Sequence, residues 1–328
     1  MKDYTNERWK VAGTAVTFGN YYKGSVERLE AAGCEVKLNP YGRPLTNEEM
    51  IEFASDCDAL IVGNDKVPAN VIEHFTKMKV IAKHGVGVDA IDKDQAKRQG
   101  ILVTNAPGTN KDEVADAAMC LALMLARDFH TLNAHTKNHE WVKYPGVDVV
   151  DKTIGVIGAG NIGTAFVRRC TGFTDKILVN DLVEREEVRA MGARYVSKDE
   201  IYASCDIISL HVPLDESTFH LVGEEAFAKM RPGTILVNTA RSKVVEVEPL
   251  TRALKDGTLR GYGVDVYDFE PPAWHEFFDL PNVILTPHVA GTTYESNRRM
   301  GDTAVDNVLA VKRGEVPPNL ITFGGASA

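Results

Sequence analysis

Short apolar, β-rich runs alternate with amphipathic stretches along nearly the whole chain, a pattern that predicts βα repeats and parallel sheets. In the first third the expected strands are Val11–Phe18, Cys34–Leu38, Ala59–Val62, Val80–Ala82 and Ile101–Thr104. Helical patterns such as Gly24–Ala32 and Val67–Phe75 lie between them. After Asn105-Ala106-Pro107-Gly108 the texture changes. Val114–Arg127 is apolar on nearly every face, as expected of a buried helix, and the polar, histidine-dotted stretch 128–144 follows it. Pattern alone leaves that stretch open between an arm packed on a second subunit and a solvated helix and loop. A second βα series starts at Lys152–Ile157 and continues through Lys176–Asn180, Ile207–Leu210, Thr234–Asn238, Gly261–Val266 and Val283–Thr286.

With 328 residues the chain is too long for one ordinary core and fits two domains. A net charge of −9 argues against nucleic acid or an anionic membrane as the main partner, since both demand a basic surface. Cys34, Cys57, Cys120, Cys170 and Cys205 are odd in number and widely spaced, with no CxxC pair. That disfavours a disulfide framework or a metal site and fits a reducing, cytoplasmic setting. The N-terminus is polar, and no apolar run is long enough to span a membrane.

Gly158-Ala159-Gly160-Asn161-Ile162-Gly163 is a GxGxxG that directly follows a strong strand and opens a helical segment. The motif alone is weak evidence, but this context is the one a dinucleotide loop needs. Gly158 permits the tight turn, Gly160 lets backbone approach a pyrophosphate, and Gly163 lets helix and strand pack closely. The helix N-terminus at Asn161 and Ile162 presents N–H groups to the phosphates. The next strand ends at Asp181, where a carboxylate accepts bonds from the ribose hydroxyls and repels a 2′-phosphate, pointing to NAD over NADP. Arg185 softens that preference, and the competing structural role for Asp181 is capping the next helix. The first third has no such loop.

Three polar residues follow predicted strands of the second series: Arg241, Glu270 and His288. Singly, each reads as an ordinary surface or structural residue. Together they meet the needs of ketone–alcohol chemistry. A positioned acid must protonate the carbonyl oxygen as hydride arrives, and histidine exchanges its proton near neutral pH. A carboxylate beside it stabilises imidazolium, and an arginine fork clamps a substrate carboxylate.

These residues sit in segments that resemble the D-isomer-specific 2-hydroxyacid dehydrogenase family, which includes phosphoglycerate dehydrogenase and glyoxylate/hydroxypyruvate reductases. The segments are KHGVGVDAID at 83–92, TNAPGTN at 104–110, IGVIGAGNIG at 154–163, LHVPLDEST at 210–218, VNTARS at 237–242, VDVYDFEPP at 264–272 and ILTPHVAG at 284–291. The resemblance implies that Arg241 binds the substrate carboxylate and carbonyl, that His288 donates or accepts the proton, and that Glu270 supports it. It implies that backbone amides near Val86 and Gly87 hold the carboxylate, that His211, Pro213, Thr218 and Thr239 line the cofactor groove, and that Asp265 faces the nicotinamide carboxamide. Lys83 occupies a position that is basic in phosphoglycerate-type relatives. With His84 it is expected to meet an anionic or polyhydroxylated tail, the competing reading being a solvent-facing lysine.

The fold expected is therefore α/β with two Rossmann-like domains and the active-site cleft between them. A flavodoxin-like substrate domain takes 1–105 plus 295–328, and a doubly wound NAD-binding domain takes 106–294, with 128–144 as the dimerisation arm of a homodimer. Ser242 stands where a glycine is frequent after the arginine, and Ala90 where an asparagine is frequent. The activity implied is NAD-dependent transfer of hydride between nicotinamide and a small 2-hydroxy acid, phosphorylated or polyhydroxylated variants included. Two readings compete: an NADH-sensing, corepressor-like binding protein, and a phosphite dehydrogenase.

Overall fold

A computed structural model of the chain describes residues 2–322. Its contacts divide it into two compact units: the chain up to Asn110 joined by the chain from Thr292 onward, and Lys111–Gly291.

In the first unit the strands are β1 (Lys10–Gly13), β2 (Glu35–Leu38), β3 (Ala59–Val62), β4 (Val80–Lys83) and β5 (Leu102–Thr104). All pair in parallel in the order β2-β1-β3-β4-β5, the flavodoxin arrangement. Alternate residues of these apolar runs enter two separate cores, which is why the strands are continuously apolar rather than alternating. Ala12, Leu60, Val62, Ile81 and Val103 pack on one face beneath Met50, Ala54 and Ala96 of the covering helices. Val11, Ala59, Ile61, Val80 and Ala82 pack on the other with Leu29 and with Ala304, Val305, Val308 and Val311. The last four belong to the helix Tyr294–Lys312, so a segment from the far end of the chain closes this unit. That helix starts at a capping box in which Thr293 and Ser296 satisfy each other's backbone donors.

The second unit holds β6 (Ile154–Ile157), β7 (Ile177–Asn180), β8 (Arg194–Tyr195), β9 (Ile207–Leu210), β10 (Thr234–Asn238), β11 (Leu259–Val264) and β12 (Val283–Leu285). The seven-stranded order β12-β11-β10-β9-β6-β7-β8 is all parallel and reverses direction between β6 and β9. That reversal is the switch point where open α/β sheets bind ligands. The fold is thus α/β with two Rossmann-like units.

Several elements depart from expectation. The apolar run Val11–Phe18 is a strand only to Gly13, and Ala15 and Phe18 reach the core from the turn that follows. The helix expected over Val67–Phe75 is confined to Ala69–Ile72, entered at Pro68. The helix Lys111–Arg127 begins a turn earlier than expected and is not apolar all round, since Asp116, Cys120 and Arg127 are exposed. At Asp128 the chain adopts φ 51° and starts a separate helix, Phe129–Lys137, none of whose residues is buried. Phe129, Trp141, Val142 and Tyr144 are exposed along this stretch.

Candidate active site

The glycine loop lies at the C-terminal end of β6. Gly158 has φ 94°, and a Cβ there would lie 2.6 Å from the carbonyl oxygen of His211. A Cβ on Gly163 would lie 1.9 Å from the Gly158 oxygen, so helix and loop touch backbone to backbone. A Cβ on Gly160 would meet open space. Gly160 is the N-cap of the helix Asn161–Cys170, whose first N–H groups the loop therefore leaves facing that space. This is the cradle a pyrophosphate fills.

Asp181 does not cap the next helix, whose N-cap is Arg185. Its carboxylate instead accepts from the Ala159 N–H at 2.5 Å and the Val183 N–H at 3.0 Å, tying the glycine loop to the end of β7. His211 follows β9. Its Nε2 pairs with Ser209 Oγ at 2.9 Å, its Nδ1 is buried without a partner, and burial pulls its pKa down to about 3, so the ring is neutral. Thr239, after β10, likewise has a buried hydroxyl with no partner. Orphaned buried polar atoms are costly unless a ligand satisfies them. Two of them at adjacent strand ends beside the glycine loop fit a bound dinucleotide. The intervening 213–218 loop is closed on itself, with Thr218 Oγ1 donating to the Pro213 carbonyl at 2.7 Å.

Arg241, Glu270 and His288 follow the neighbouring strands β10, β11 and β12 on the same sheet edge. Arg241 is fixed through its backbone. Asn238, fully buried, donates from Nδ2 to the Arg241 carbonyl at 2.9 Å and accepts from the Ala240 N–H at 3.0 Å. The guanidinium donates to the Ala240 carbonyl at 2.7 Å. His288 Nδ1 lies 2.5 Å from Glu270 Oε1, both side chains being partly exposed. The backbone at His288 is left-handed, φ 54°, a conformation that needs outside support in a non-glycine residue.

Asp265 supplies that support. It is 1% exposed and accepts from Thr286 Oγ1 at 2.6 Å, Val289 N–H at 2.9 Å and Ala290 N–H at 2.8 Å. Its carboxylate thus clasps both sides of His288. Asn238 and Thr286 escaped the sequence reading, although each stands within three residues of a reacting group in the VNTARS and ILTPH segments.

In the first unit, Lys83 ends β4 and is only 8% exposed, which corrects the solvent-facing alternative; its ammonium donates to the Gly63 carbonyl. His84 is buried edge-on to Phe18, Nε2 has no partner, and burial pulls its pKa to about 4. The carbonyls of Gly85 and Val86 accept from Ala106 N–H at 2.8 Å and Asn105 Nδ2 at 2.9 Å. Because a trans peptide sets N–H opposite C=O, the amides of Val86 and Gly87 point away from that turn.

A parallel-sheet unit with this loop, this switch point and a histidine–carboxylate pair beside an arginine defines a nicotinamide-dependent dehydrogenase. The family model for the D-isomer specific 2-hydroxyacid dehydrogenase, NAD binding domain, matches residues 119–290. A glyoxylate reductase of Korarchaeum cryptofilum is 39% identical over 287 residues, covering 85% of this chain and 86% of that one. A glyoxylate reductase of Thermococcus litoralis is 38% identical over 283 residues, covering 83% and 86%. The crystal structure of D-lactate dehydrogenase from Aquifex aeolicus, complexed with NAD and lactic acid, matches with TM-score 0.81 and 28% identity over 97% of this chain and 100% of that one. This chain belongs to the D-isomer specific 2-hydroxyacid dehydrogenase family. It is an NAD-dependent oxidoreductase acting on a CH–OH group. Among the described residues no helix is long and apolar enough to cross a membrane, and no cluster of candidate metal ligands occurs.

Proposed function

We propose that the protein reduces a small 2-oxo acid, glyoxylate to glycolate or hydroxypyruvate to D-glycerate. The observation that carries this reading is the 2.5 Å bond between His288 Nδ1 and Glu270 on the sheet edge that also bears Arg241. With the carboxylate on Nδ1, proton exchange falls to Nε2. NADH, when bound, supplies the hydride to C2. Arg241 pairs with the substrate carboxylate and polarises the carbonyl; His288 gives its Nε2 proton to the C2 oxygen as charge develops there, and Glu270 stabilises the imidazolium from which the proton leaves. Asp181 sets the preference for NAD. The Val86 and Gly87 amides are the first unit's candidate carboxylate donors, and Lys83 the group that favours an anionic tail. The names of the archaeal relatives support glyoxylate as the first substrate to try.

The test is NADH and NADPH oxidation with glyoxylate, hydroxypyruvate and 3-phosphohydroxypyruvate, alongside phosphite-dependent formation of NADH. Turnover of a 2-oxo acid is expected. Tight NADH binding with no turnover of any compound favours the sensor reading, and phosphite oxidation favours the other branch. Lys83→Ala should lower kcat/KM for 3-phosphohydroxypyruvate relative to glyoxylate; an unchanged ratio removes Lys83 from substrate selection.

We also propose a cytoplasmic homodimer. Five free cysteines fit a reducing compartment. Trp141, 79% exposed, and Phe129, 53% exposed, fit an arm covered by a second copy. Sedimentation equilibrium should give twice the chain mass, and a monomeric wild-type protein removes the proposal.

A further inference from the structure

The hydroxyl of Ser242 donates to the carboxylate of Asp268. The bond joins the 3₁₀ turn Ser242–Val244, directly after Arg241, to the segment that leads from β11 to Glu270. We propose that this pair is a latch that sets the spacing between the Arg241 turn and Glu270, and that Ser242 is a positioning residue for the reaction. The inference rests on the reading of Arg241, Glu270 and His288 given above.

The two sides of the latch are not equally firm. The Arg241 turn is anchored by Asn238, which is buried and bonded at both ends of its amide. On the Asp268 side, Val266 is buried and Tyr267 packs edge-on to Phe278, but the tip of the segment beyond them is exposed. Asp268 is exposed and Phe269 is 64% exposed. Ser242 and Asp268 themselves line a cavity of about 200 Å³, together with Val245, Tyr267, Phe269 and Phe278. A segment tip that is exposed and borders a cavity is restrained by close packing less than a buried turn is. Its hydrogen bonds include Tyr267 Oη to the Thr286 carbonyl at 2.9 Å, and Ser242 to Asp268. Glu270 comes two residues later and holds His288 Nδ1 at 2.5 Å. Moving Asp268 therefore moves the carboxylate that orients the imidazole. A glycine at 242 has no hydroxyl with which to make this bond.

The closing experiment compares Ser242→Ala, Asp268→Ala, Asp268→Asn and the double Ser242→Ala/Asp268→Ala with wild type. Steady-state kinetics with glyoxylate and NADH across pH are read alongside hydrogen–deuterium exchange of residues 266–272. Ser242→Ala and Asp268→Ala should each lower kcat/KM by roughly three- to tenfold, the scale of one exposed hydrogen bond. Each should also move the pKa governing kcat/KM downward, because imidazolium loses a steadily placed carboxylate. Asp268→Asn, whose amide oxygen still accepts from Ser242, should restore both, and the double variant should be no worse than either single one. Exchange over 266–272 should rise in the alanine variants only. Unchanged kinetics and exchange in Ser242→Ala overturn the latch, as do an Asp268→Asn as impaired as Asp268→Ala or additive losses. If wild type turns over no 2-oxo acid, the functional reading fails, and the exchange comparison alone then decides the latch.

Discussion

His288 is held from two directions, by Glu270 on its ring and by Asp265 on the backbone to either side. Replacing it with asparagine leaves the Asp265 clasp intact, since that clasp involves Thr286, Val289 and Ala290 alone. His288→Asn should therefore lower kcat by about 10²–10⁴-fold while the NADH Kd, read by fluorescence titration, stays within about twofold of wild type. Near-normal kcat would place the proton donor elsewhere. Asp181→Asn removes both a charge and one acceptor from a group that bonds Ala159 and Val183. NADH should bind more weakly and the NADPH/NADH Kd ratio should fall; a constant ratio would show that this carboxylate does not choose the cofactor. Arg241, Glu270 and His288 stand out in the sequence because each follows a predicted strand within a few residues. Their hydrogen-bond partners do not. Asp265 meets Val289 and Ala290, and Ser242 meets Asp268, across more than twenty residues of chain, and only the parallel pairing of β10, β11 and β12 brings such positions together.

Among the elements, the glycine loop divides folding from binding. Gly163→Ala forces a methyl to within 1.9 Å of the Gly158 oxygen, so backbone must shift. The variant should lose about 1–3 kcal/mol of stability and show a lowered Tm. Gly160→Ala puts its methyl into open space and should keep the wild-type Tm while losing NADH affinity. Equal Tm losses in both variants would undo this division. Ala59–Val62, Ile207–Leu210 and Thr234–Asn238 are legible residue for residue because both faces of these strands are buried, leaving runs that are apolar save for Ser209 and the polar ends Thr234 and Asn238. The same rule overshoots at Phe18, where burial continues after the strand has ended. The helix Asn47–Ala54, which starts at a capping box of Thr46 and Glu49, escapes the sequence reading because its apolar face is too short to announce itself by periodicity.

For the whole molecule, acid should be destabilising well before the carboxylates titrate. Burial holds His84 near a pKa of about 4 and His211 near about 3, against 6.5 for an exposed histidine. Between those values the unfolded chain binds protons that the native state refuses, so stability is complete above pH 6.5 and declines as pH falls toward 4. For His84 the loss is on the order of 3 kcal/mol. His84→Gln should flatten the fall of Tm between pH 6.5 and 4; a slope as steep as wild type would assign the loss to other groups.

The helix Tyr294–Lys312 covers strands that lead the chain by nearly its whole length. During synthesis Trp9, Val11 and Leu29 emerge first, yet Ala304, Val305, Val308 and Val311, which share their core, emerge after the entire second unit. Lys111–Gly291 has its own sheet and two cores built from its own residues. The middle of this protein is thus complete while its beginning still waits with an open apolar face. A ribosomal stall or truncation between Gly291 and Tyr294 leaves a finished dinucleotide-binding unit attached to a five-stranded sheet with one apolar face bare.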